Sequence, residues 1–241
     1  MNAPIFYAAE HTDALKYATT NLQQKGFHFA KQPGSAVTHI LLGVPAGPME
    51  DFKQVLPQLS KGITIFGGNL DLPELAEYHT IDFLKDPLYL AQNANITAHC
   101  AIKQAVNRLP VTLDRCPVLV IGWGRIGKCL ATLLKQMGAI VTVAARKETD
   151  RAILASLGYE TENSANLGYS LIRYRVIFNT VPTMVLPGET LEFCHKDCLK
   201  IDLASKPGIA SDDVIWARGL PSKDAPESSG KLIANTILRF L

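Results

Sequence analysis

Apolar and polar positions along the 241 residues follow two periods, and their alternation predicts an α/β chain. Short strand-like runs, suited to a parallel sheet covered on both faces, occur at residues 5–8, 39–44, 63–66, 118–121, 140–145, 176–178 and 199–203, with a shorter one at 215–217; those at 118–121 and 176–178 are wholly apolar. Helical spacing fills several of the intervals. It predicts helices at 12–25, ended by Gly26, at 52–59, and at 88–109, where Ala98, Ala101, Ile102, Ala105, Val106 and Leu109 form one stripe and Pro110 is the stop. A further helix follows residues 118–121, carries Leu130, Leu133, Leu134 and Met137, and ends at Gly138. The last helix carries Leu232, Ile233, Ile237 and Phe240, with Pro226 in its first turn and Asp224 with Glu227 as its N-cap pair. Gly47 and Pro48 mark a loop. The strands before residue 90 read as a flavodoxin-like parallel series. Those after it read as a Rossmann-type sheet, so the expected division is a first domain at 1–90 and a second at 91–224 that includes the long joining helix.

One segment adds chemistry to this pattern. The run at 118–121 leads straight into Gly122, Gly124 and Gly127, a G-x-G-x-x-G spacing, then a helix and a second apolar strand. The first glycine allows a tight turn, the second lets backbone approach a pyrophosphate, and the third lets the helix lie close to the sheet. Strand, helix, stop and second strand all fall where a dinucleotide site needs them, with Arg125 and Ile126 between the glycines at the phosphates. NAD sites place an Asp or Glu at the end of the second strand, where it accepts from the ribose 2′-OH. Here that strand ends Ala144-Ala145-Arg146-Lys147, with no carboxylate before Glu148. Cations in that place pair with a 2′-phosphate, which predicts NADP (NADPH) over NAD, a solvated loop being the competing reading.

Composition bounds the function class. Lys and Arg total 24 against 22 Asp and Glu, a net charge of +2, which argues against nucleic acid or a membrane surface as the main partner. No apolar run has the length of a membrane span, and the opening residues lack the basic start and apolar core of a signal peptide, so a cytoplasmic protein with reduced cysteines is expected. Cys194-His195-Lys196-Asp197-Cys198 has metal-ligand residue types but no second ligand pair nearby, and a turn with half-buried cysteines is expected there.

In an open parallel sheet, ligands gather at the carboxyl ends of the strands. Three segments of the second half end that way: 176–178 into Asn179-Thr180-Val181-Pro182, 199–203 into Ala204-Ser205-Lys206-Pro207-Gly208, and the stretch GLPSKDAPESSG. Together with GWGRIGK, the strand end AAR and the segment NANITAHCAI, these resemble the dipicolinate synthase A-subunit family over the chain from about Leu88 onward. The resemblance implies two Rossmann/flavodoxin-like domains arranged as in formate/glycerate-type dehydrogenases, with residues 225–241 packing back on the first domain. It also implies an NADP-linked oxidoreductase that takes a dihydropyridine dicarboxylate to dipicolinate beside a flavoprotein-like B subunit. A homodimer is expected. The chain departs from the family in its first domain, which is shorter and opens Tyr7-Ala8-Ala9-Glu10-His11 where the family has a glycine-rich turn. Asp224 replaces an apolar residue, and Thr97-Ala98-His99-Cys100 replaces Thr-Ala-Glu-Gly.

The candidate residues follow. Gly122, Gly124, Arg125, Ile126 and Gly127 are expected at the pyrophosphate, Arg146 and Lys147 at the 2′-phosphate, and Asn179, Thr180, Val181 and Pro182 at the nicotinamide ribose. Thr97, Ser205 and Lys206 are expected at a small carboxylated substrate. His99, read at the start of a helix whose dipole would keep it neutral, is the candidate base, and Lys206 the candidate cation. For each, a solvated polar residue is the alternative. Two other functions stay open: a cofactor-binding protein without turnover, and a 2-hydroxyacid dehydrogenase, which the Ala-Ser-Lys-Pro loop disfavours.

Overall fold

Two parallel sheets, each with its own core, organise the chain. The computed structural model describes residues 3–9, 12–47 and 52–241. The chain divides into one unit containing residues up to Asn93 together with Pro221–Leu241, and a second unit of Ala94–Leu220.

The sheet of the first unit contains β1 (Ile5–Ala8), β2 (His28–Phe29), β3 (His39–Leu41), β4 (Thr64–Gly67) and β5 (His79–Asp82) in the order β2-β1-β3-β4-β5. All its pairings are parallel, and this is the flavodoxin order. Phe6, Ile40, Ile65 and Phe66 are wholly buried. His39 stacks on Phe6 and Phe66 with centroids 5.0 and 5.9 Å away, and burial lowers its pKa, so the ring packs as a neutral aromatic. The helix Asp13–Gln24 starts at Thr12, whose hydroxyl accepts from the Leu15 amide at 3.3 Å, and buries Ala14, Leu15, Ala18 and Leu22.

The terminal helix Pro226–Phe240 lies against that helix. The two come close because residue 230 is glycine: a Cβ there would sit 2.5 Å from the Ala14 carbonyl oxygen and from Tyr17 Cβ. Asp224 does not cap this helix. It belongs to the preceding helix Leu220–Asp224, the N-cap is Ala225, and Pro226 supplies the missing amide of the first turn. The helix expected at 52–59 does not run through: after Phe52 and Lys53 the chain turns and forms a 3-10 turn at Leu56–Gln58, because Pro57 has no amide to continue an α-helix. Glu10, His11 and Pro48 lie outside the described residues.

The long helix, Pro87–Val106, begins one residue earlier than expected and ends three residues earlier. Asp86 starts it, accepting from the amides of Leu88 (3.3 Å) and Tyr89 (3.0 Å), and also receives Arg239 from the terminal helix. Ala98, Ala101, Ile102 and Ala105 are buried, but Val106 is exposed at the helix end.

The second unit holds β6 (Pro117–Ile121), β7 (Ile140–Ala144), β8 (Glu160–Glu162), β9 (Val176–Asn179), β10 (Leu199–Asp202) and β11 (Ile215–Trp216). Their order, β11-β10-β9-β6-β7-β8, is the doubly wound dinucleotide-binding order 3-2-1-4-5-6 read from the opposite edge. Residues 118–121 have no exposed surface, in keeping with a central strand covered on both sides. The helix Arg125–Gln136 packs through Gly127, Leu130, Ala131 and Leu134, each leucine contributing about 1.5–3 kcal/mol by burial. Met137, expected on that face, lies past the last turn and is exposed.

Candidate dinucleotide site

The site grows from the crossover between β6 and the helix Arg125–Gln136. Gly122 has φ +107°, a backbone that favours glycine, and a Cβ there would lie 2.3 Å from Thr180 Oγ1. Gly127 lies so near the loop that a Cβ would stand 2.1 Å from the Gly122 carbonyl oxygen. Gly124 is different. It is the helix N-cap, has ordinary extended angles, and a Cβ there would meet nothing within 4 Å. Two glycines therefore close the turn tightly, and the third leaves open space in front of a helix end that no side chain caps. The first-turn amides at that end have no intrahelical acceptor and suit an anion. That is the fit a pyrophosphate requires.

The open space belongs to a cleft of about 750 Å³. Gly122, Trp123 and Gly124 form one wall, Ala145, Arg146 and Lys147 a second, and Val181, Met184 and Val185 a third. The second wall is the turn after β7, where the Ala145 amide is tied to the Glu162 carbonyl at 3.0 Å. Both cations are exposed at the rim. Behind this wall the Glu162 carboxylate accepts from Ser170 Oγ, Arg173 Nη2 and Tyr174 OH, each at 2.6 Å. Burial and that carboxylate push the Tyr174 hydroxyl up to about 12, so it stays a hydrogen-bond donor.

The third wall corrects one expectation. Asn179 does not reach the cleft: its side chain is wholly buried, its amide donates to Val181 O (3.0 Å) and Asp202 Oδ1 (2.9 Å), and its oxygen accepts from the Val181 amide (2.9 Å). Asp202, also buried, takes the Ala204 amide at 3.0 Å and the Gly208 amide at 2.7 Å. The pair thus folds both strand-end loops and fills the space around Gly208, where a Cβ would lie 2.4 Å from Asn179 Nδ2. Thr180 is half-buried and donates to the Ile121 carbonyl at 2.9 Å, so its hydroxyl also braces the glycine turn. Val181 lines the cleft, and Pro182 is exposed beside it.

The substrate-side candidates are placed less closely. Ser205 and Lys206 are exposed on the loop that Asp202 holds. Thr97 is buried in the long helix. His99 is exposed twelve residues past the start of that helix at Pro87, not at a helix entry. The dipole effect is confined to the first turn, so it does not act on this imidazole. None of these four lines the dinucleotide cleft. Sequence reasoning missed Asp202 and Asp150: the first is legible only as an acid at a strand's carboxyl end, and the second as an acid in the first turn of the helix Glu148–Ser156, which lacks a strong apolar stripe.

No family model matches the chain. A curated relative, the A subunit of dipicolinate synthase from Bacillus subtilis (strain 168), is 28% identical over 158 residues, covering 62% of this chain and 53% of the relative. The match therefore spans about half the relative's length. Among solved structures, the A subunit of dipicolinate synthase from Bacillus halodurans superposes with a TM-score of 0.83 at 18% identity, over 99% of this chain and 97% of that one. Transhydrogenase from Sinorhizobium meliloti gives 0.74 at 13% identity, over 98% and 92%. The chain is similar to the dipicolinate synthase A subunit, and its fold is that of the Rossmann-like dehydrogenases. No helix among the described residues is long and apolar enough to cross a membrane.

Proposed function

We propose that the chain is an NADP-linked oxidoreductase that moves a hydride between nicotinamide and a small carboxylated substrate of the dihydropyridine dicarboxylate type. The observation that carries the reading is the open cradle at Gly124 with Arg146 and Lys147 on the rim of the same cleft. The helix amides after Gly124 hold the pyrophosphate, and the two cations take the 2′-phosphate. When bound, nicotinamide supplies the hydride acceptor or donor. The chain's own residues bind, orient and exclude water. Val181, Met184 and Val185 give the cleft an apolar wall, and the buried Asn179–Asp202 pair sets the loops that carry Pro182 and Lys206. In oxidation of a dihydropyridine, the substrate loses a hydride and a proton. In this reading Lys206 pairs with a substrate carboxylate, and His99, exposed on the long helix, is assigned the proton. Because the curated relative is named as one subunit of a synthase, a second, B-type subunit is the partner this reading assigns.

The test is NADP-dependent oxidation of a dihydropyridine dicarboxylate, followed by absorbance, together with dicarboxylate binding to the parent and to Lys206→Met in the presence of NADPH. Loss of one ammonium–carboxylate pair lowers dicarboxylate affinity by about 2–3 kcal/mol and leaves NADPH affinity unchanged. Equal dicarboxylate binding by both proteins removes Lys206 from the site. The mid-helix position of His99 favours a second reading, a cofactor-binding protein without turnover, and NADPH binding with no hydride transfer to any dicarboxylate selects it.

A further inference from the structure

We infer that Arg151 is a positioning residue for dinucleotide selectivity, clamping the turn that presents Arg146 and Lys147. The inference rests on the NADP reading above and names the device that holds the 2′-phosphate end of that site.

Arg151 stands in the first turns of the helix Glu148–Ser156, and its side chain folds back over the helix start. Its Nη1 donates to the carbonyl of Ala145 at 2.9 Å and to that of Arg146 at 2.8 Å. Those two carbonyls belong to the turn between β7 and the helix, and Ala145, Arg146 and Lys147 form a wall of the cleft. One guanidinium thus joins two consecutive peptide units, which a shorter or neutral side chain in its place would leave untied.

The placement is costly for a cation. The N-terminus of a helix is the positive end of its dipole, and a guanidinium there is disfavoured. Two more cations, Arg146 and Lys147, stand within the same turn. Glu148 and Asp150 give that turn two carboxylates, yet among the described residues none of the three cations forms an ion pair with either. Arg151 is held by carbonyls rather than carboxylates, and Arg146 and Lys147 stand exposed at the cleft beside it, so three positive charges around one helix start suit an incoming dianion. A phosphate monoester has that charge and the oxygens to accept from Arg146 and Lys147, while Arg151 holds the turn that presents them. Asp150, which lines the same cleft, disfavours a phosphate at its own position and so confines the anion to the Arg146–Lys147 side.

The experiment compares the parent, Arg151→Met and Arg151→Lys, each titrated with NADPH, NADH and adenosine 2′,5′-bisphosphate at low and moderate salt, with thermal melting alongside. Arg151→Met is expected to lose about tenfold in affinity for NADPH and for the bisphosphate while NADH binding stays within about twofold. Arg151→Lys, which keeps donors and charge, is expected to recover part of the loss, and the salt dependence of NADPH binding weakens in Arg151→Met. If Arg151→Met lowers NADPH and NADH affinity equally, or leaves the NADPH:NADH ratio of the parent intact, the inference is overturned and Arg151 is only a structural cap. A parent that binds the two dinucleotides equally is a different failure, because it removes the NADP reading itself and the selectivity that Arg151 was assigned to support. Should Arg151→Met melt far below the parent, the ratio in Arg151→Lys decides between the same two outcomes.

Discussion

Replacing Gly124 by valine separates cofactor binding from folding more cleanly than any other change in the site. The backbone at 124 has φ −80° and ψ −171°, an extended conformation open to valine, and a Cβ there meets nothing within 4 Å. The fold therefore loses only the preference for glycine over valine at a helix N-cap, about 0.5–1 kcal/mol, or a melting shift of about 1–4 °C. The cofactor loses much more, because the branched side chain occupies the space in front of the first-turn amides. Two charge-assisted hydrogen bonds to the pyrophosphate at about 1.5–3 kcal/mol each amount to about 3–6 kcal/mol, or roughly 10²–10⁴-fold in Kd. The control is Gly127→Ala, whose Cβ would stand 2.1 Å from the Gly122 carbonyl oxygen, so the loop or helix must move. That variant is expected to lose stability and binding together. Circular dichroism melting and fluorescence titration with NADPH read both effects. Unchanged NADPH affinity in Gly124→Val refutes the assignment of the phosphates to this turn, and collapse of its melting temperature refutes the claim that the space is open.

Three further outcomes are expected. The parent binds NADPH at least about tenfold more tightly than NADH, about 1.4 kcal/mol, and Arg146→Asp erases or reverses the preference; fluorescence titration at fixed salt checks both. Asp86 is held below the usual carboxylate range chiefly by its hydrogen bond to Arg239 and further by the amides of Tyr89 and Leu88. Its contribution to stability is thus present above the unfolded carboxyl value of about 4 and is lost as pH falls through the lower folded value, so the melting gap between the parent and Asp86→Asn is open at neutral pH and closes below about pH 4. Asp202→Ala strands the buried Ala204 and Gly208 amides and the Asn179 amide, and urea unfolding is expected to show a loss of about 3 kcal/mol or more; a loss under about 1 kcal/mol means that the loops do not depend on this carboxylate.

The turn that carries the dinucleotide reading was legible because its parts are local. Strand, three glycines, helix, stop and second strand fall within about thirty residues, and each glycine answers a steric demand visible from spacing alone. The central strand β6 announces itself in the same way, as an apolar run, whereas β10 buries Lys200 and Asp202 among its apolar residues. The edges do not. β2 has two residues, β5 is partly polar and β8 is wholly polar, because an edge strand faces water and needs no continuous apolar run.

Long-range partners explain the remaining differences. Asn179 and Asp202 are 23 residues apart, and nothing in either local pattern shows that they meet in the core and use up each other's hydrogen-bonding groups. The helix expected at 88–109 already placed His99 well inside it, so the expectation of His99 at a helix start conflicted with that span, and the structure, with the helix starting at Pro87, sides with the span. Arg151 likewise reads as one more surface cation until the fold brings its guanidinium to the carbonyls of Ala145 and Arg146. By itself the sequence determined the alternation of elements and the glycine turn, since both arise from steric rules acting over a few residues. The tertiary structure alone decided which polar groups face the cleft and which are consumed in holding it open, because that depends on hydrogen bonds between strand ends that only the folded sheet brings together.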